Sequence, residues 1–514
     1  MSSSPHSTSA SRPKTGRRSG VPNLGLQVDP RDLEFRPLRW WDWWREVRRT
    51  SSAGLTISLL LHVVACVLLA VWIIDQPDRT DADPYLVTWL DPTATVKPTT
   101  KSRRPVSIPL TVATVTPSPA PPPKLKPADV PATPTVRAAD VGQALMNRGR
   151  VARGEIGELE QLGGSAAAQR AVKAGLAWLA RQQTKDGRWE LHQGYPDAGL
   201  SVIRTDTGAT ALALLAFLGA GHTPQDGDHA QNVQNGLRWL VDIQDPATGD
   251  LHDQRQEEGR QAAFYAHAMA TIALCEALAL TRDEALREPA QKAVGYLLQA
   301  QHPDTGGWKY RPLSRMMVGD LSVTGWALMA LHTARMAGID VPDHDFVRAF
   351  AFLDSVAERG GSRYKYEPHD PPERITVALT AEGILCRQWL GWGRDHPPLR
   401  DAVAFLTDEE HRPQWAAGRR NVYSWYYTAQ VLHNLGGEAW ESWYLPTRDL
   451  VVKSQVTGGS ARSPNDVRGS WHPTQPPGAD EEYGQKAGRL YVTAMCLLLL
   501  ETPYRHRPLY PTER

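Results

Sequence analysis

Six apolar stretches, each carrying one threonine in a similar frame, recur along this 514-residue chain and constrain its fold more than any other feature. They read ATALALLAF, ATIALCEAL, VTGWALMAL, LTAEGILCR, YTAQVLHNL and VTAMCLLLL, with the threonines at Thr210, Thr271, Thr324, Thr380, Thr428 and Thr493. A helix that is apolar nearly all round must be buried on every side. Before these stretches stand longer, charged segments such as AAQRAVKAGLAWLARQQ, apolar on one face only, which belong on the outside. Several of these end in an apolar pair, a glutamine and Gly-x-Trp. The first has Trp178, Leu179, Gln183, Gly187 and Trp189. The second has Trp239, Leu240, Gln244 and Gly249, with Leu251 in place of the last tryptophan. The third has Tyr296, Leu297, Gln301, Gly306 and Trp308. Later copies decay: Phe352–Leu353 leads to Tyr366, Phe405–Leu406 to Trp415, and Leu450 to Trp471. At such an ending glycine supplies a permissive turn and the aromatic folds back as a packing plug.

Outer and inner helices alternating in this way predict an all-α domain over 165–514, an (α/α)6 toroid of six helical hairpins. A linear solenoid would need capping ends, and the sequence has none. The Gln–Gly–Trp endings resemble the QW motif of squalene and hopene cyclases. The alternation is similar to the wider terpenoid cyclase and protein prenyltransferase toroid, and the whole chain resembles bacterial membrane-tethered members with prenyltransferase/squalene-oxidase repeats. That resemblance implies the fold. Chemistry must be argued from the site.

The cyclases place their proton donor in D-x-D-D-T-A. Here the corresponding stretch runs from Asp206 to Ala211; Asp206, Thr210 and Ala211 match, but Gly208 and Ala209 replace the two central acids. A lone acid at a helix start reads as an N-cap. The prenyltransferase zinc set needs D-x-C, and the toroid's thioester proteins need C-x-E-Q; both are missing. Cys275, followed by Glu276, reads as a buried structural thiol. No cofactor and no metal is implied. One constellation remains. Asp206, His267, Asp320, Thr376, Ser424 and Arg489 each stand four residues before a repeat threonine, forming a polar ring at one mouth of the barrel. The ring reads either as helix caps or, with Tyr265, Trp326, Glu382, Tyr423, Trp425 and Tyr426 close by, as the lining of a ligand pocket. Weak catalytic candidates are Asp206, His267 and Asp320. His344, between Asp343 and Asp345, reads as a cap.

Ahead of the repeats, Gly54 to Ile74 reads GLTISLLLHVVACVLLAVWII. About twenty helical residues cross a hydrocarbon layer of roughly 30 Å. Arg39, Arg45, Arg48 and Arg49 precede the segment and Asp75, Asp78, Asp81 and Asp83 follow it. The positive-inside rule then predicts a single-pass inner-membrane protein with residues 1–53 cytoplasmic and the rest periplasmic. Residues 40–44, WWDWW, read as an interfacial anchor. Ser58 and His62 share one helix face, a spacing similar to that of TonB-type energy transducers, which implies proton-motor membrane subunits as partners. Residues 75–164 form a Pro-rich linker; its stretch from 91 to 136 would span on the order of 140 Å as extended polyproline II. With a formal charge of +1 there is no electrostatic case for nucleic acid.

These features predict a membrane-anchored binding or scaffold module that presents its mouth to a lipid, isoprenoid, glycan or protein. The alternatives are a terpenoid cyclase-like or prenyltransferase-like enzyme, and a polysaccharide-active toroid.

Overall fold

The computed structural model describes residues 156–192, 203–253, 262–310, 318–458 and 466–510, all within one compact unit, 116–514. The expected cytoplasmic segment, the transmembrane helix with Ser58 and His62, and the linker up to residue 155 lie outside the described residues.

The described residues are mostly helical. A short helix α1 (Ile156–Gln161) leads into α2 (Ala166–Gln182) and α3 (Asp206–Gly219). Then come α4 (Ala230–Ile243), α5 (Ala263–Thr281), α6 (Arg287–Ala300), α7 (Leu321–Met336) and α8 (Asp343–Ser355). A two-stranded antiparallel ribbon follows, β1 (Ala357–Glu358) with β2 (Arg363–Tyr364), pairing Ala357 with Tyr364 and Glu358 with Arg363. The chain ends with α9 (Val377–Trp389), α10 (Pro397–Leu406), α11 (Val422–Leu435), α12 (Gly437–Lys453) and α13 (Gly484–Arg505).

The odd-numbered helices from α3 onward are the apolar threonine stretches. Each packs on the next, and α13 returns to pack on α3, so the contacts close into a helical toroid. Burial follows pattern: in α3 every residue except Asp206 is buried, whereas α2 buries Ala168, Ala171, Val172, Gly175, Leu176, Trp178 and Leu179 at helical spacing. The outer helices lean on this ring: α4 on α3 and α5, α6 on α5 and α7, α12 on α11, α13 and α2. Helix α5 is long and apolar enough to pass for a membrane span, but it is a core helix of this ring.

The glutamine endings are clasps between neighbouring outer helices. Gln183 Nε2 donates to Gly187 O at 2.7 Å and to Asn232 O of α4 at 2.9 Å. Gln244 does the same to Gly249 and Pro289, and Gln301 to Gly306 and Asp345. A further clasp stands at Gln455, which donates to Gly469 O and to Ala171 O of α2, both at 2.8 Å. It joins the last hairpin to the first. Each clasp glycine has positive φ, and a Cβ there would overlap a backbone carbonyl of the next outer helix. Only glycine permits that approach.

The plugs are fixed at both ends. The indole Nε1 of Trp189, Trp308 and Trp471 donates to the carbonyl of Leu179, Leu297 and Val451, at 2.7 to 2.8 Å. Their backbone N–H groups donate to Thr210, Thr324 and Thr493 on the inner helices. These repeat threonines are therefore acceptors for the plug, beyond their expected role as small packing residues. Where Leu251 replaces tryptophan, its N–H goes instead to His267 Nδ1 at 3.1 Å, and Thr271 bonds its own helix at His267 O. In the hairpin after that of Trp308 the plug is Tyr364, not the expected Tyr366: Tyr364 is fully buried and its N–H donates to Thr380. The ribbon shifts the register by two.

Candidate functional site

Inner helices begin at one end of the ring, where their caps gather. Thr205, Asp320, Thr376 and Asn421 each accept the backbone N–H three residues on. Asp206, read above as an N-cap, is the first helical residue, and Thr205 holds the capping position. Likewise α8 starts at Asp343, so His344 lies inside its first turn, 3.4 Å from the Asp345 carboxylate.

Lys309 is the centre of the mouth. It follows the plug Trp308, and its Nζ lies 3.0 Å from Asp320 Oδ2 and also pairs with Glu367. The same ammonium sits 4.7 Å from the ring centroids of both Tyr310 and Tyr366, whose hydroxyls bond each other. Burial disfavours the lysine's charge, but the Asp320 and Glu367 carboxylates outweigh it and raise its pKa. Asp320 is fully buried, and its Oδ1 accepts from Val323 N and Ser322 Oγ, each at 2.8 Å. Since Ser322 gives its proton to Asp320, Tyr265 OH donates to Ser322 at 2.6 Å. A polar relay thus runs from the Tyr265 phenol to Asp320.

Deeper in the ring lies Glu382 on α9, fully buried. Tyr423 OH donates to its Oε2 at 3.4 Å, and the Tyr427 hydroxyl also favours the carboxyl's charged form. Gly325 on the facing helix makes the room; a Cβ there would overlap the carboxyl. Burial pushes this carboxyl well above its ordinary range, which favours its protonated form. Trp326 packs beside it, stacked on Tyr426 at 6.3 Å and edge-on to Tyr427 at 6.2 Å. At the far end Arg505 pairs with Glu276 at 2.8 Å and with Glu501 at 3.4 Å, all three buried.

The residues expected to line a pocket divide into two sets. Tyr265, Asp320, Trp326, Glu382, Tyr423 and Tyr426 fall into the mouth or the aromatic layer below it. The others point elsewhere. Asp206 accepts from Arg188 Nε at 2.9 Å, within a loop network with Asp186 and Glu190. His267 is held by the Leu251 N–H, by Ala293 O of α6 and by the Asp250 carboxylate 3.3 Å from its Nδ1, apart from the Lys309 cluster. Trp425 meets Trp415, and Arg489 donates to Ser470 Oγ at 2.8 Å. Two of the three weak catalytic candidates, Asp206 and His267, therefore do not share a site with Asp320. At the turn after Leu251, Asp253 N donates to Thr207, which itself donates to Leu251 O.

Lys309, Tyr310, Glu367 and Tyr427 escaped sequence reasoning, and Tyr366 was read as a plug. The missed signal is positional: Tyr310 and Tyr366 each stand two residues after a plug, Trp308 and Tyr364, in adjacent hairpins. Cys275, Cys386 and Cys496 are buried free thiols, each pushed up by burial. Among the described residues no group of His, Cys, Asp and Glu side chains is placed to hold a metal ion.

No protein-family model and no curated protein matches the chain. Among solved structures it is similar to the α-1,6-mannanase GH76A from Salegentibacter sp. HEL1_6, at 14% identity, TM-score 0.41, over 71% of this chain and 99% of that one. An inactive variant of that mannanase in complex with α-1,6-mannotriose matches at 14% identity, TM-score 0.41, over 72% and 99%. The type II terpene cyclase MstE from Scytonema matches at 14% identity, TM-score 0.40, over 67% and 99%. These similarities assign no reaction to the chain.

Proposed function

We propose that this chain is a membrane-anchored extracytoplasmic binding or scaffold protein, an (α/α)6 toroid that takes its ligand at the tyrosine-rich mouth. Residues 54–74 span the inner membrane once, the N-terminus is cytoplasmic, and the linker 75–164 holds the toroid away in the periplasm. The supporting observation is the Lys309 cluster. A lysine gripped by two carboxylates and two phenol rings is far more polar than an end cap needs, because the helix caps there are already made. Aromatic faces beside a few charged groups are what a ligand site requires.

A reporter tests this. His369→Cys, exposed close to Glu367, is labelled with an environment-sensitive fluorophore in the full chain carrying Cys66→Ser; the buried thiols stay unreactive. The labelled protein is titrated with neutral oligosaccharides, short peptides and soluble short-chain phospholipids. A response to one class that disappears in Tyr366→Ala supports the reading. Silence toward all three sinks it.

Glu382 favours a second reading, an enzyme of the terpenoid cyclase type. A carboxyl pushed up by burial among aromatic rings is what a general acid needs. Turnover of squalene or geranylgeranyl diphosphate, abolished by Glu382→Gln, would replace the binding reading. The membrane helix recruits proton-motor subunits through Ser58 and His62 in this proposal; unchanged co-purification of such subunits with His62→Ala would remove that element.

A further inference from the structure

The rim of the mouth carries a side chain that folding alone does not account for. Tyr483, immediately before α13, is 47% exposed, and its backbone is left-handed with φ 62°. That conformation is strained for a tyrosine, and such strain concentrates at functional positions. Its neighbour Glu482 is drawn inward to Arg420 at 2.7 Å, which turns the Tyr483 ring outward. The ring stands at the end of the barrel where the inner-helix caps gather, the same end as the Lys309 cluster. Glu481 is tied to the same end of the ring through Asn421 Nδ2 at 2.8 Å.

The chemistry of this rim is specific in kind. A lipid chain would want aliphatic walls, whereas the lining is phenol, ammonium and carboxylate, and the layer beneath is filled by Trp326 against Tyr426. A phosphate would want surplus positive charge. Here the Lys309 ammonium is already met by Asp320 and Glu367, and the Lys486 ammonium lies 5.1 Å from the Tyr483 ring. A sugar ring presents an apolar C–H face and an edge of hydroxyls. Phenol faces suit the first, and charged hydrogen-bonding groups of both signs suit the second.

We propose that the mouth binds a neutral oligosaccharide, with Tyr483 and Tyr366 as stacking faces and Lys309 and Glu367 as partners for its hydroxyls. This rests on the reading that the ligand enters at the mouth. The test is titration calorimetry of the full chain in detergent micelles with cellohexaose, chitohexaose, maltohexaose, mannohexaose and xylohexaose, and with oligogalacturonate as an acidic control. At least one neutral hexasaccharide is expected to bind with Kd below about 1 mM, and oligogalacturonate to bind more weakly. Tyr483→Ala should weaken binding about tenfold or more, while Tyr483→Phe retains it. The exposed position makes both variants compatible with folding, which a thermal melt checks.

The proposal is overturned if none of the neutral hexasaccharides binds, or if Tyr483→Ala binds as the parent does. Should the His369→Cys reporter respond to peptide or phospholipid while calorimetry shows no sugar, the glycan is wrong and the mouth stands. Should sugar bind with the reporter silent and the mouth variants indifferent, both fail.

Discussion

Two arcs of the ring are fastened differently. From α2 to α8, and again from α12 back to α2, glutamine side chains join one outer helix to the backbone of the next. From α8 to α12 no such glutamine stands among the described residues, and arginines take over. Arg363 donates to Asp401 O of α10 at 3.2 Å, Arg387 pairs with Asp354, and Arg420 pairs with Glu482 while also donating to His472 O and Pro473 O. A neutral amide clasp is short and local. An arginine reaches further and fills its site with charge, so the loops it ties can vary. Tyr366, Glu367, Glu382 and Tyr423 come from the arginine arc, whereas Glu481 and Tyr483 follow the Gln455 clasp. Regular repeats fix the ring, and both arcs supply the mouth: Lys309, Asp320 and Tyr310 from the clasped arc meet Tyr366 and Glu367 from the arc released from the repeat.

Breaking one fastener in each arc tests that contrast. Arg420→Met should cost about 3–5 kcal/mol by chemical denaturation, because it strands the fully buried Glu482 carboxylate. Trp308→Ala should cost a similar amount, about 3–5 kcal/mol, through the cavity left by a plug that is 1% exposed. Gln455→Ala should cost less, about 1–3 kcal/mol, since two carbonyls lose their donor. In the arginine arc Trp415→Ala should cost under about 1 kcal/mol, its ring being half-buried and without a clasp. If Trp415→Ala matched Trp308→Ala, the two arcs would not differ as described.

Glu382 gives the same comparison a pH axis. Burial raises its carboxyl above the ordinary value of 4.5 in the folded protein, so between that value and the raised one the folded state keeps a proton that the unfolded chain loses. The unfolded state therefore binds fewer protons over that window, and stability falls as pH rises, by up to about 1.4 kcal/mol per unit. Glu382→Gln should remove that slope, raising the melting temperature more at pH 8 than at pH 5. An equal shift at both values would mean that the carboxyl is not held neutral.

The sequence pattern was legible wherever chemistry repeats at fixed spacing. The threonine helices and the first three glutamine endings could be read directly, because one residue type does one job at each. Gln455 was not, since fourteen residues separate it from Gly469 where the other clasps need four or five. His267 misled because it stands in for a threonine as acceptor, and polarity on an apolar helix looks the same whether it serves packing or ligand. The mouth was half legible. Asp320, Tyr265, Glu382 and Tyr423 lie on inner helices whose frame is readable. Lys309, Tyr310 and Tyr366 reach the same place from loops, and no periodicity reports where a loop returns.

The Gln455 clasp has a consequence for how the domain comes into being. It binds Ala171 O, near the start of the ring, and α13 packs on both α2 and α3. The first hairpin therefore has no finished neighbour on one side until the final helix has been made and delivered. A chain emerging N-terminus first carries an open seam throughout its synthesis, with the apolar flank of α3 bare. Removal of α13 alone should unravel the opposite end of the sequence, so protease resistance around α2 and α3 reports whether the last twenty-odd residues of the ring have arrived.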